Sequence, residues 1–330
     1  MSKRRFLSAV IGSLLFGGLL ASCSDTTGKP LRVALNPWPG YAFLFLAQEK
    51  GYFADEGVNV ELVELSSLSD VRKAFERGQV DGMASSLVEV LEVSKNSNRH
   101  AVVSLMADYS NGADVILADK RFADVVSLSG AKVGIEPGTL NRLILTRALD
   151  AHGLTNSDIE IVNIAQSLMG KALSEGAVDA VVTYPPVSTE IERLGNVHKV
   201  FSSAEIPGEI ADVISFDADV ILRRRIEIEA FVRAWGRAVD FADEQSAEAY
   251  ALMSPHMGMT PQELEEVYKG IHVVRGPSQS AFLEPDGPLS VGVRSLSSLL
   301  WPEEAALSDV DLAALFVNPE GGSAWPAAWN

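Results

Sequence analysis

Two stretches of this chain, 98 positions apart, carry nearly the same pattern. The run from Ala74 through Gly78, Val80 and Asp81 to Ser85 returns as Ala172 through Gly176, Val178 and Asp179 to Thr183. Each reads as a helix end closed by glycine, a short buried strand, and a hydroxyl residue at the strand's end. A second echo, offset by 100, sets Arg32 to Pro37 against Lys132 to Pro137. In both copies a short apolar strand runs into a Pro/Gly loop that opens a helix. The pattern predicts two α/β lobes of like construction, with strand C-termini and helix N-termini facing a shared cleft where a ligand binds. Since α/β lobes in general share this plan, the echo constrains architecture more than it constrains ligand.

The alternation along the chain supports that expectation. Strands are predicted over 31–35, 58–65, 80–84 and 101–106, with helices over 41–50 and 68–77 and another from Ser85-Ser86 to about Ser94. An extended segment over 112–118 leads into a second series: strand 132–135, helix 139–152, strand 159–164 and strand 178–183. The run 209–222 carries the chain back to the first lobe, and two crossings of this kind form a hinge. Helices are expected over 226–242 and 247–253, and a third starts at Thr260, with proline at its first position and Glu263 completing a capping box. Residues 276–288 read as loop, and the segment with the terminal tryptophans reads as a surface tail.

The N-terminus reads as a targeting segment. Lys3, Arg4 and Arg5 precede an apolar stretch from Phe6 to Ala21, too short to span a bilayer comfortably. Leu20-Ala21-Ser22-Cys23 resembles a bacterial lipoprotein signal, which implies a lipid on the Cys23 sulfur and cleavage just before it. Cys23 is the only cysteine, so neither an intrachain disulfide nor a cysteine metal cluster can form. The expected division is a signal peptide over 1–22, a tether over 23–30, a first lobe from 31–114 with 213–330, and a second lobe over 115–212. Loss of the three basic residues moves the formal charge from −17 to −20. Phosphates would repel so acidic a protein, so nucleic acid is not an expected partner.

A family comes into view at Asn36-Pro37-Trp38-Pro39-Gly40-Tyr41, followed by Leu46-Ala47, Gly51-Tyr52-Phe53 and Glu56-Gly57. The chain resembles the substrate-binding proteins of ABC importers in the nitrate, sulfonate and taurine group. Further matching stretches are Ser110 to Asp114, Val133-Gly134 with Gly138, Thr183 to Pro186 and Ile210 to Val213. The resemblance implies an α/β, two-lobed type II periplasmic binding protein, each lobe a doubly wound, mostly parallel sheet, with a two-segment hinge. It also implies an extracytoplasmic, monomeric solute receptor, anchored to a membrane by lipid, that serves an ABC permease and its ATPase. No cofactor and no metal are expected.

Several residues stand where such a cleft would lie. Trp38 and Tyr41 flank a helix start whose N–H groups can hold a polar oxygen while the rings cover an apolar or cationic part; Trp38 can equally pack between loop and core. Ser67, Ser85 and Ser86 sit at strand-to-helix junctions, where each can cap a helix or face ligand. Thr139, after Gly138, supplies the matching junction in the second lobe. Tyr109, Asn111 and Asp114 stand at the first crossing with Asp108, and Asp114 can fix a ligand amine, cap a turn or pair across the hinge. Glu136, with Glu89, faces the cleft or favours a helix start. Tyr184 has a rigid mount before two prolines, and Asp212 lies in a matching stretch. Asp81 and Asp179 read as structural turn residues.

The charge balance leaves the ligand open. Glu89, Asp108, Asp114 and Glu136 collect near the cleft, with only Arg72 and Arg142 as nearby cations. Carboxylates around a buried anion would be costly. A cationic, zwitterionic or neutral nitrogen compound is therefore as consistent with the sequence as a sulfonate or nitrate. Two other functions are weighed. A clamshell lipoprotein could signal rather than transport. Enzymes that make the thiamine pyrimidine share this fold, but that resemblance brings a cysteine-rich metal motif and a reactive lysine. With Cys23 alone, five histidines without ligand spacing, no nucleophile elbow and no Walker loop, the chain is expected not to be an enzyme.

Overall fold

The computed structural model describes residues 28–284, 287–301 and 314–317. Residues 1–22, Cys23 and the segment with the terminal tryptophans lie outside the described residues. In chain order the strands are β1 Leu31–Leu35, β2 Val60–Glu64, β3 Gly82–Ser86, β4 Ala101–Ser110, β5 Val115–Asp119, β6 Lys132–Ile135, β7 Glu160–Asn163, β8 Ala180–Thr183, β9 Val197–Ser202, β10 Ala211–Asp217 and β11 Ile271–Val273. They form a six-stranded sheet in the order β11-β4-β10-β3-β1-β2 and a five-stranded sheet in the order β7-β6-β8-β5-β9.

The repeat seen in the sequence has a mechanical meaning. Asp81 takes the Arg32 N–H onto its carboxylate at 2.9 Å and donates its own N–H to the Arg32 carbonyl at 2.8 Å. Asp179 does the same with Lys132, at 2.7 and 2.8 Å. Each aspartate thus ties the strand that follows it, β3 or β8, to the parallel strand beside it, β1 or β6. Gly78 and Gly176, at φ of 68° and 69°, supply the left-handed turns that bring the aspartates there.

The α/β, two-lobed architecture is as expected, but each sheet is mixed rather than mostly parallel. β1 pairs in parallel with β2 and β3, and β6 with β7 and β8, whereas β10, β11, β5 and β9 pair antiparallel. The cause is the crossings. β5 and β10 enter their sheets from the cleft end, so they run against strands whose C-termini point toward it. The crossing segments bond to each other: Ser203 N–H to the Asp114 carbonyl at 2.9 Å, Gly112 N–H to Ser203 Oγ at 2.6 Å, and Ser110 N–H to the Ile210 carbonyl at 3.0 Å.

The return segment is a strand and then the long helix Ala218–Glu244, which breaks helical geometry at Arg224. The Arg224 guanidinium binds Glu227 and the carbonyls of Lys29 and Pro30, tying the helix to the start of the described fold. Beyond the kink the helix buries Phe231 and Trp235 against Phe53 and Phe43. Each such ring contributes on the order of 2–3 kcal/mol by burial. Residues 276–283, expected as loop, form a helix with proline in its first turn, a position proline tolerates because no N–H is needed there.

Candidate functional site

The cleft lies where the cleft-end edges of the two sheets meet. Asn36 follows β1, Ser85 and Ser86 end β3, Asp108 nears the end of β4, and Asp212 is the second residue of β10. The second lobe contributes Glu136 after β6, Leu140 before the helix Asn141–Ala151, and Thr183 and Tyr184 at the end of β8. A narrow pocket, too tight in this closed form to hold a water, is lined by Asn36, Trp38, Tyr41, Leu68, Asp114, Leu140, Tyr184 and Asp212. The lobes touch around it. Asn36 Nδ2 donates to Tyr184 Oη at 3.3 Å, and the Trp38 and Tyr184 rings meet edge to face at 5.9 Å.

Aromatic donors hold two of the carboxyls. Trp38 Nε1 donates to Asp108 Oδ2 at 3.3 Å, and Tyr41 Oη to Asp212 Oδ1 at 2.7 Å. Asp108 and Asp212 are direct partners across the antiparallel β4–β10 pair. Gly40 makes this approach possible: a Cβ there would lie 1.9 Å from Asp108 Oδ2. Glu89 Oε2 takes the Ser86 N–H at 2.9 Å, closing a capping box, while its Oε1 takes the Leu140 N–H of the other lobe at 3.0 Å.

The electrostatics are one-sided. Glu89, Asp108, Asp114, Glu136 and Asp212 are all buried, and no cation lines the cavity among the described residues. Arg72 binds Glu76 and lies beside Gly138, and Arg142 is exposed. Burial pushes the Glu89 and Asp114 carboxyls up to about 7. Burial raises Asp108 and Asp212 well above the usual range, and repulsion among the neighbouring acids adds to it. Burial also raises Glu136, with Ser67 and the Ser69 N–H pulling the other way. Six buried acceptor atoms here lack a hydrogen-bond partner within the protein, namely Asn36 Oδ1, Asp108 Oδ1, both carboxyl oxygens of Asp114, Glu136 Oε2 and Gln166 Oε1, as does one buried donor, Arg72 Nε. Buried polar atoms are ordinarily paired, so such a cluster is unsatisfied until something brings donors.

Of the residues expected from the sequence, Trp38, Tyr41, Asp114, Tyr184 and Asp212 line the cavity. Glu136 is buried at the cleft edge of the second lobe. Ser67 and Ser86 cap the helices Leu68–Glu76 and Leu87–Asn96, and Thr139 Oγ1 donates to the Glu136 carbonyl at 2.8 Å. Ser85 Oγ donates to the Ser86 carbonyl. Tyr109 and Asn111 are not brought to the cleft. Successive residues of a strand face opposite ways, so while Asp108 turns inward, Tyr109 stacks on His272 at 4.8 Å, and Asn111 Nδ2 lies 3.0 Å from His272 Nε2. Cys23 lies outside the described residues. Asn36, Leu68, Leu140 and Gln166 were missed. Asn36 opens the Pro/Gly loop, a position the alternation of β1 could have flagged.

A family model described as the NMT1-like family matches residues 25–254. The 4-amino-5-hydroxymethyl-2-methylpyrimidine phosphate synthase of Aspergillus parasiticus is 27% identical over 243 residues, 67% of this chain and 69% of that protein. The formylaminopyrimidine-binding protein of Halalkalibacterium halodurans is 29% identical over 182 residues, 52% of this chain; the match spans only about half, 54%, of that relative. Among solved structures, the periplasmic aliphatic sulphonate-binding protein of Escherichia coli superposes with a TM-score of 0.70 at 16% identity, covering 88% of this chain and 92% of that one. The alkanesulfonate-binding protein of Xanthomonas axonopodis pv. citri, bound to MOPS, gives 0.72 at 14% identity, covering 88% and 98%. The expectation that the chain is not an enzyme is corrected by these findings, since relatives at 26–27% identity are named as synthases. That expectation counted cysteines, histidines and nucleophile motifs. The cleft carboxyls have a proton affinity set by burial, and no motif reveals that. With the match covering most of its length, the chain belongs to the NMT1-like family and has the two-lobed fold of periplasmic binding proteins.

Proposed function

We propose that the protein captures a small nitrogen heterocycle rich in N–H donors, an aminopyrimidine, by closing its lobes over the cleft. In this reading the lobes are residues 31–114 with 213–330 and residues 115–212, and they turn about the two crossing segments. The observation that carries it is that Asn36 Oδ1 and both carboxyl oxygens of Asp114, in the pocket wall, have no partner within the protein, and that no cation lines the pocket among the described residues. A sulfonate or nitrate would add acceptors to acceptors, whereas an exocyclic amino group, and a ring nitrogen once it is protonated, donate to carboxylates. Two relatives, one named a formylaminopyrimidine-binding protein and one a synthase of an aminopyrimidine phosphate, support the same class.

The protein would hold its ligand outside the cytoplasm for an ABC permease and its ATPase, anchored through a lipid on Cys23. Cys23→Ser then moves the protein from the membrane to the soluble fraction after cell lysis, read by immunoblot; equal partition of both forms overturns the anchor. A second reading, favoured by the synthase names, has the cleft carboxyls act chemically on a pyrimidine or its precursor. One experiment addresses both. Purified protein is screened by thermal unfolding against aminopyrimidines, aliphatic sulfonates and nitrate, and the recovered ligand is analysed by mass spectrometry. Capture predicts a shift of several degrees with aminopyrimidines alone and an unchanged ligand mass. A changed mass supports the second reading, and a response to sulfonates but not pyrimidines overturns both.

A further inference from the structure

The Glu89 carboxylate joins two helix starts from opposite lobes. One oxygen takes the N–H of Ser86, which caps Leu87–Asn96; the other takes the N–H of Leu140, which precedes the eleven-residue helix Asn141–Ala151. The side chain is fully buried. Leu140, whose N–H it holds, lines the pocket. A helix N-terminus, with free N–H groups and a positive dipole end, is a ready place for an anion. Here the second lobe's helix start faces the cleft with that place already filled by the chain itself.

We propose that Glu89 is a specificity-determining residue: a built-in acceptor that occupies the oxyanion position at the start of helix Asn141–Ala151 and clasps the closed lobes. The proposal rests on the reading of this cleft as the ligand site. An incoming sulfonate, sulfate or nitrate meets a seated carboxyl group there rather than a free Leu140 N–H, and once that carboxyl is ionised like charges also repel. The same carboxylate supplies a bridge between the lobes that an anion binder must obtain from its ligand. Specificity thus comes partly from a repulsive element.

The test uses Glu89→Ala, which empties the position, and Glu89→Gln, which keeps the shape and the Ser86 cap but turns one acceptor into a donor. Calorimetric titration of Glu89→Ala with sodium sulfate and methanesulfonate is expected to give saturable binding at least tenfold tighter than in the wild-type protein. Equal indifference of both proteins to both anions, or wild-type binding as tight as the variant's, overturns the proposal. Should Glu89→Ala fail to fold, amide hydrogen exchange decides. In Glu89→Gln the Leu140 amide is expected to exchange at least tenfold faster than in the wild type, and an unchanged rate overturns the clasp. Wild-type titration with 4-aminopyrimidine runs in parallel. Failure of that arm alone counts against the proposed function and leaves the anion result to stand by itself.

Discussion

Asp114→Asn is expected to weaken aminopyrimidine binding by roughly ten- to a hundredfold while raising the unfolding midpoint of the ligand-free protein. The opposite signs follow from one fact: both carboxyl oxygens of Asp114 are buried without a partner. A hydrogen bond to a charged group contributes about 1.5–3 kcal/mol, and a buried unsatisfied polar group costs about 1–3 kcal/mol. The asparagine keeps the shape, gives up one acceptor needed by a donor-rich ligand, and removes a carboxyl that the empty fold must bury at a loss. Titration calorimetry and thermal unfolding on the same two proteins measure both effects. A variant that binds as tightly as the wild type removes Asp114 from the site, and one that is less stable shows that the carboxyl had a structural partner.

How much of this was legible in the sequence depends on the range of the interaction. Local signals read through directly. Ser67 and Ser86 were placed at helix starts, and the Thr260–Glu263 capping box forms with Pro261 behind it. The repeated Asp81 and Asp179 are structural, because the residues that receive them, Arg32 and Lys132, belong to the second echo. Where the reading failed, a distant partner decided the outcome. β11 has three residues and exists because the edge of β4 is there to pair with it. Residues 276–283 read as loop because glycine and proline were taken as breakers, although proline in a first turn is a start signal. In the site, the acidic character was visible but its geometry was not. Asp108 and Asp212 become neighbours through the β4–β10 register, and the parity that separates Asp108 from Tyr109 requires knowing that β4 continues to Ser110 rather than ending near Met106.

The buried acids also predict how the empty protein responds to pH. Glu89 and Asp114 hold their protons up to about pH 7 in the closed fold, against about 4 for a solvated carboxyl. Below pH 4 both forms are protonated and nothing is gained or lost between them. Between about 4 and 7 the closed fold binds more protons than a solvated state, so its stability falls as pH rises, by about 1.4 kcal/mol per pH unit for each such group. Above 7 the loss is complete. Asp108, Asp212 and Glu136 shift in the same direction and add to it. Unfolding is one way to solvate these carboxyls, and parting the lobes is another, at the cost of the Asn36–Tyr184 and Glu89–Leu140 hydrogen bonds and the Trp38–Tyr184 ring contact. The ligand-free protein is therefore expected to be compact at pH 5 and to open by pH 8. Small-angle scattering should record a rise in radius of gyration, and thermal unfolding a fall in midpoint of several degrees. An aminopyrimidine that places donors on the carboxylates should restore the compact form at pH 8, and Asp114→Asn should flatten the profile. A radius that stays constant from pH 5 to 8 in the empty protein would mean that the acids are solvated and that the cleft is not closed over them.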